Sequence, residues 1–119
     1  MTRDSVPSRG EIWLVNFDPA TGAEIRKLRP ALVVNVNSIG RLPLRIVVPL
    51  TDWKPQYENY PWLVELPATR KNGLSKKSGA DAFQVKSLSV SRFSRCLGKI
   101  DDEQMEEILS AIALCVGIP

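Results

Sequence analysis

Only the last stretch of this chain repeats at helical spacing. Met105, Ile108, Leu109, Ile112, Cys115 and Val116 recur with the period of one helix face. Asp101 stands where an N-cap belongs, Gln104 follows as its capping-box partner, and Gly117 stops the run. The acidic residues at its start sit where the helix dipole favours them. Everything before it reads as short strands broken by Pro, Gly and Asn. Parallel strands need long crossovers, usually helical, and none is available here, so the strands must pair antiparallel. Short strands with bulges favour closure, which predicts a mainly β protein: a small barrel with one C-terminal amphipathic helix.

The strands follow in order. "EIWLVNF" (11–17) is apolar on both faces and reads as central. "DPATG" supplies turn chemistry, and a loop of about ten residues leads to Arg29. Pro30 opens a second strand, "ALVVNV" (31–36), as a residue tolerated at a strand's first position. "LRIVVPLT" (44–51) is the third strand, and its Pro49 predicts an edge or a bulge. A polar loop, "DWKPQYENYP", precedes the short strand "WLVEL" (62–66). After the basic loop "RKNGLSKKSG", the runs "DAFQVKSL" (81–88) and "RCLGKI" (95–100) read as the last two strands.

A chain of 119 residues fits one domain, assigned here to 9–119 behind a flexible arm, 1–8. No apolar run reaches the roughly 18 residues of a membrane span, and the N-terminus lacks a signal-peptide core, so a cytoplasmic protein is expected. Cys96 and Cys115 both fall in apolar patterns and read as reduced core residues. Histidine is absent. That excludes Ser-His and Cys-His nucleophile pairs, imidazole acid–base chemistry and most zinc sites.

The net charge of +3 hides an asymmetry. All 16 cations precede residue 100, against eight carboxylates there, while five carboxylates crowd the stretch from Asp101 to Glu107. So basic a body suggests a polyanionic or acidic partner. Four polar groups stand at strand ends or beside them: Arg29, Thr51, Ser78 after Lys76 and Lys77, and Gln84. Strand ends of a small barrel can converge on one rim. Arginine is a planar, permanently charged fork suited to phosphate, and a threonine hydroxyl can add a hydrogen bond to the same group.

Taken together, "RGEIWLVNFDPATGAEIRKLRPALVVNV", "VVPLTDW", "LSKKSGADAFQVKSLSVSRF" and "LGKIDDEQMEEILSAIALCVGI" resemble the MazF/PemK toxin family over about residues 9–118. The resemblance implies an SH3-like barrel related to CcdB toxins. It implies a homodimeric toxin of a type II toxin–antitoxin system, a sequence-specific endoribonuclease acting on single-stranded mRNA. Its partner would be a cognate MazE-like antitoxin with an acidic C-terminal tail. Carried over by motif, Arg29 and Thr51 are the catalytic pair. Glu24 joins them from the loop over the RNA groove, and Gln84 and Ser78 match residues along the RNA path. "DWKPQYENYP" has no clean counterpart.

The residues and the resemblance suggest one mechanism. The RNA 2′-hydroxyl attacks the adjacent phosphorus, leaving a 2′,3′-cyclic phosphate and a 5′-hydroxyl, with no cofactor or metal. Arg29 would stabilise the developing charge. Thr51 would hold the phosphate, and Glu24 is a carboxylate of suitable type to take a proton. Arg26 and Lys27 would steer the backbone in, and Lys76 and Lys77 add charge. Trp53, Tyr57 and Tyr60 either stack bases or cap the barrel. Two other classes compete: a CcdB-like gyrase inhibitor on the same fold and a non-catalytic nucleic-acid-binding barrel. The first would place an aromatic near the helix C-terminus, where this chain reads "LCVGIP".

Overall fold

The computed structural model describes residues 6–39 and 41–119. Seven strands precede one helix: β1 (Glu11–Asn16), β2 (Leu28–Val33), β3 (Leu44–Asp52), β4 (Leu63–Leu66), β5 (Ser78–Asp81), β6 (Lys86–Ser89), β7 (Phe93–Lys99) and α1 (Asp102–Val116). Every pairing is antiparallel. One sheet runs β7-β1-β2-β3-β6, and a 3-10 turn at Val90–Arg92 carries β6 straight into β7. The sheet thus curls back on itself as an SH3-like barrel.

β3 belongs to two sheets. Residues 44–49 pair with β6 and β2, whereas Leu50, Thr51 and Asp52 pair with β5, which in turn pairs with β4. Pro49 sits opposite Ala31, next to this change of partners. It is fully buried, so the expected edge is instead a transfer point between sheets. β2 also starts earlier than its sequence suggests, with Pro30 inside it opposite Leu14, and ends at Val33. The run read as one strand over 81–88 is two strands separated by a 3-10 turn, Ala82–Gln84, which Asp81 caps by accepting the Phe83 N–H.

Side chains alternate across the central strands and bury both faces. Ile12, Leu32, Val48 and Leu50 point to one side with Met105, Ile108 and Ala111 of α1. Trp13, Val15, Phe17, Ala31, Val33, Val47 and Leu88 fill the other. A lone helix of α1's length is marginal in water. Fully burying one side chain such as Ile108 is worth roughly 2 kcal/mol, so packing rather than propensity holds it. Its ends follow the sequence: Gln104 N–H donates to Asp101 Oδ1 at 2.8 Å, and Gly117 closes it at φ 77°.

The expected arm at 1–8 falls mostly outside the described residues. Val6–Ser8 lie on the body: Pro7 is buried and its carbonyl accepts from Arg45 Nε at 2.8 Å. Cys115 packs partly against the helix-side core, but Cys96 is exposed on β7, an edge of the strand path. The expectation of two core cysteines therefore holds only for Cys115, and both thiols are free.

Candidate functional site

Arg29 lies near the start of β2 and Thr51 near the end of β3. The β2–β3 pairing runs from Val33 opposite Val47 to Ala31 opposite Pro49; beyond it Arg29 pairs with Val15 of β1 and Thr51 with Gly79 of β5. Alternation puts both side chains on the face of Ala31, Val33 and Val47, at the end where that core opens to solvent. Both are half-buried. Arg29 Nε donates to the Arg26 carbonyl at 3.3 Å. The Trp53 ring and Leu63 close over Gly79, so that a Cβ there would sit 3.2 Å from Trp53 and 3.4 Å from Leu63.

The loop between β1 and β2 is held in place. Lys27 adopts φ 70°, a left-handed conformation that costs a non-glycine residue about 1–2 kcal/mol. Asp18 stabilises it by accepting the Lys27 N–H at 3.0 Å, and Phe17 N–H donates to the Lys27 carbonyl at 2.9 Å. Arg26 Nη2 donates to Gly22 O at 3.0 Å, and Glu24 Oε1 accepts from Thr21 N–H at 2.7 Å. Gln84 reaches across from the turn after β5. Its Oε1 accepts the Ile25 N–H at 2.6 Å while its Nε2 donates to Asp81 at 3.1 Å. Gln84 is therefore a strut between loop and turn. Gln84→Ala should let the loop open more often, and trypsin should cut after Arg26 and Lys27 about fivefold faster, the equivalent of about 1 kcal/mol for one lost hydrogen bond.

Beside the strut lies a hollow of about 470 Å³ lined by Ala23, Glu24, Trp62, Asp81, Phe83 and Gln84. Trp62 stacks on Tyr60 with ring centroids 5.0 Å apart and meets Phe83 edge-on at 6.5 Å. Phe83 is 68% exposed, unusual for so large an apolar ring. Burial raises the Asp81 carboxyl above its ordinary range, against the opposing pull of hydrogen bonds from Gln84 and Phe83. Trp62, Phe83 and Asp81 were not among the residues singled out in the sequence. A phenylalanine within an apparent strand signals nothing until the turn expels it.

The other polar groups divide by face. Lys77 shares the face of Thr51 and pairs with Glu65 at 3.3 Å. Ser78 points the opposite way; it is buried, and its hydroxyl donates to the Lys76 carbonyl at 3.0 Å. Lys76 pairs with Asp52 at 3.2 Å on that same opposite side, around a hollow of about 260 Å³ that also takes in Pro30 and Arg95. The expected convergence of all strand-end groups on one rim is therefore split, because neighbouring residues of β5 alternate. Trp53 and Tyr57 line a larger hollow, about 1360 Å³, against α1. Glu58, Glu65, Glu103, Glu106 and Glu107 surround it, so a polyanion is repelled there despite its size.

The fold is that of a small SH3-like barrel with a basic loop, Arg26 and Lys27, leading into the half-buried Arg29 of β2. Comparison with known proteins narrows that class. The family model for the PemK-like, MazF-like toxins of type II toxin–antitoxin systems matches residues 8–116, and the chain belongs to that family. It is 34% identical over 112 residues to endoribonuclease MazF9 of Mycobacterium tuberculosis (strain ATCC 25618 / H37Rv), a match covering 89% of this chain and 92% of that protein. The crystal structure of MazF (Form-I) from Deinococcus radiodurans superposes with a TM-score of 0.77 at 28% identity, covering 94% of this chain and 97% of that one. The crystal structure of MazE-MazF (Form-II) from the same organism gives 0.75 at 28% identity, over 96% and 98% of the two chains.

Proposed function

We propose that this protein is the toxin of a type II toxin–antitoxin pair and an endoribonuclease that cuts single-stranded mRNA in the cytoplasm. The observation that supports the reading best is the register of β2 on β3, Ala31 opposite Pro49: continued by two residues on each strand it would set Arg29 beside Thr51, with the cations Arg26 and Lys27 in the loop before them. The names of its relatives support the same activity. Among the described residues, no helix is long and apolar enough to cross a membrane. Leu114 to Pro119, beside the C-terminal end of α1, hold no aromatic of the kind a CcdB-like gyrase inhibitor would place there.

RNA supplies its own nucleophile. The 2′-hydroxyl loses its proton and attacks the neighbouring phosphorus, the bond to the 5′-oxygen breaks, that oxygen takes a proton from solvent, and a 2′,3′-cyclic phosphate and a 5′-hydroxyl result. Charge grows on the phosphoryl oxygens as this happens. The Arg29 fork meets it with preorganised donors, while Thr51 keeps the phosphate in register. Glu24, on the loop leading to Arg29, is the carboxylate suited to accept the 2′ proton. Arg26, Lys27 and Lys77 attract the backbone on the way in, and Gln84 holds the loop above it. Ser78 and Lys76, on the opposite face, lie off this path.

The active form is a homodimer, and a cognate MazE-like antitoxin restrains it. Its acidic tail competes with RNA for the Arg26–Arg29 side, since the glutamates beside α1 repel it from the larger hollow. Analysis of the cut ends tests the chemistry. Products should carry a 2′,3′-cyclic phosphate and a 5′-hydroxyl, and the rate should be unchanged in EDTA. Ends bearing a 5′-phosphate, or a rate abolished by chelation, would contradict in-line attack by the 2′-hydroxyl.

A further inference from the structure

We infer that the hollow between Trp62, Phe83 and Asp81 is a base-reading pocket that selects guanine in the RNA. The inference rests on the RNA-cleaving reading above and adds the identity of one recognised base.

Three observations converge on it. First, the walls are aromatic and one ring is presented to solvent: Phe83 stands out from the turn while Trp62 is braced by Tyr60. Exposed aromatic faces beside a cationic groove are how proteins stack unpaired bases. Second, the ionisable groups in the lining, Glu24 and Asp81, are both carboxylates, and no Lys or Arg lines it. Ionised carboxylates only accept hydrogen bonds. They repel a phosphate and suit a neutral ring with N–H groups on its edge. Third, the hollow lies at the right reach. Asp81 is two residues along β5 from Gly79, the partner of Thr51, and alternation puts all three on one face. Strand geometry then separates Asp81 from Thr51 by about 8 Å. One ribose with its base covers such a span, so a phosphate at Arg29 and Thr51 delivers an adjoining base to this pocket.

The donor pattern selects among bases. Guanine offers N1–H and N2–H side by side, a pair that one carboxylate can accept together. Adenine and cytosine each offer one amino group beside a ring acceptor. Uracil presents its N3–H between two carbonyl oxygens, which the carboxylates oppose. Asp81 keeps lone pairs for this role after accepting from Phe83 N–H and Gln84 Nε2, and those two bonds fix the orientation of its carboxylate. Gln84 cannot do the reading itself while its Oε1 is committed to Ile25.

The test separates reading from cutting. The protein is incubated with a short randomised pool of 2′-O-methyl RNA, which in-line attack cannot cleave, and bound sequences are counted. Guanine should be enriched about tenfold or more over uracil at one position, the scale of a bidentate base contact. Asp81→Asn should erase that enrichment at that position only. Phe83→Ala, at an exposed ring whose loss does not threaten the fold, should weaken binding of the pool about tenfold through lost stacking. No base preference, a preference for uracil, or a guanine preference unchanged in both variants would overturn the pocket. Cutting of an unmodified pool is scored separately. Loss of cutting with the guanine preference intact would count against the nuclease reading and leave the pocket standing.

Discussion

Arg29→Lys is expected to lose about a hundredfold to a thousandfold in single-turnover cleavage at saturating RNA, the usual effect of removing one preorganised donor. Lysine keeps the charge but carries its donors on one nitrogen instead of a planar fork, so it cannot hold two phosphoryl oxygens by parallel, coplanar hydrogen bonds. Arg29→Ala should lose at least as much. Thr51→Ala should fall as well, and Thr51→Ser should retain part of the rate because the hydroxyl remains. Lys27→Ala supplies the contrast: RNA binding weakens and its salt dependence drops by about one phosphate contact, while the maximal rate stays near that of the native protein. If Arg29→Lys cuts as fast as the native protein when RNA is saturating, Arg29 only attracts RNA and the chemistry sits elsewhere on this face.

Gly98→Ala should be among the most destabilising single changes in the fold, on the order of 3 kcal/mol. A Cβ at that position would sit 2.3 Å from the Lys71 carbonyl oxygen and 2.5 Å from the Asn72 carbonyl carbon, both backbone atoms that cannot rotate aside. The turn it presses on is built around Asn72. That side chain is 1% exposed, donates to Pro67 O at 2.8 Å and accepts N–H bonds from Thr69 and Leu74 at 3.0 Å each. Lys99 N–H then ties β7 to the Lys71 carbonyl at 3.0 Å. Moving either segment breaks bonds in the other. Urea unfolding should show a lower midpoint with an unchanged slope. A midpoint like that of the native protein would mean that β7 and the turn separate easily.

The helix could be read in full because its signals are local: the periodic face, the Asp101–Gln104 box and Gly117 all act within a turn or two. β1 was equally legible, since apolar residues on both faces require neighbours on both sides, and β2 and β7 supply them. Pro49 misled because proline's penalty depends on which neighbour needs the missing N–H, a fact of tertiary pairing. The run from Asp81 to Leu88 misled for a related reason. Phe83 and Val85 favour strands by propensity, yet the Asp81 cap and the Gln84 strut bend the chain between them. The Arg29 and Thr51 positions followed from motif, while the register that pairs Ala31 with Pro49 is one that no sequence spacing displays. Trp62 and Asp81 remained hidden because their hollow draws on three separate segments.

The transfer of β3 between sheets at Pro49 also bears on how such proteins diversify. Arg29 and Thr51 ride on paired strands, so the cutting role proposed for them is bound to the fold. The aromatic hollow draws on the end of β5, the short turn after it and two loops at the border of the smaller sheet, apart from the β7-β1-β2-β3-β6 ladder. Lineages built this way can exchange the word they recognise without relearning how to cut it. Selection can act on vocabulary and on scissors as separate inheritances.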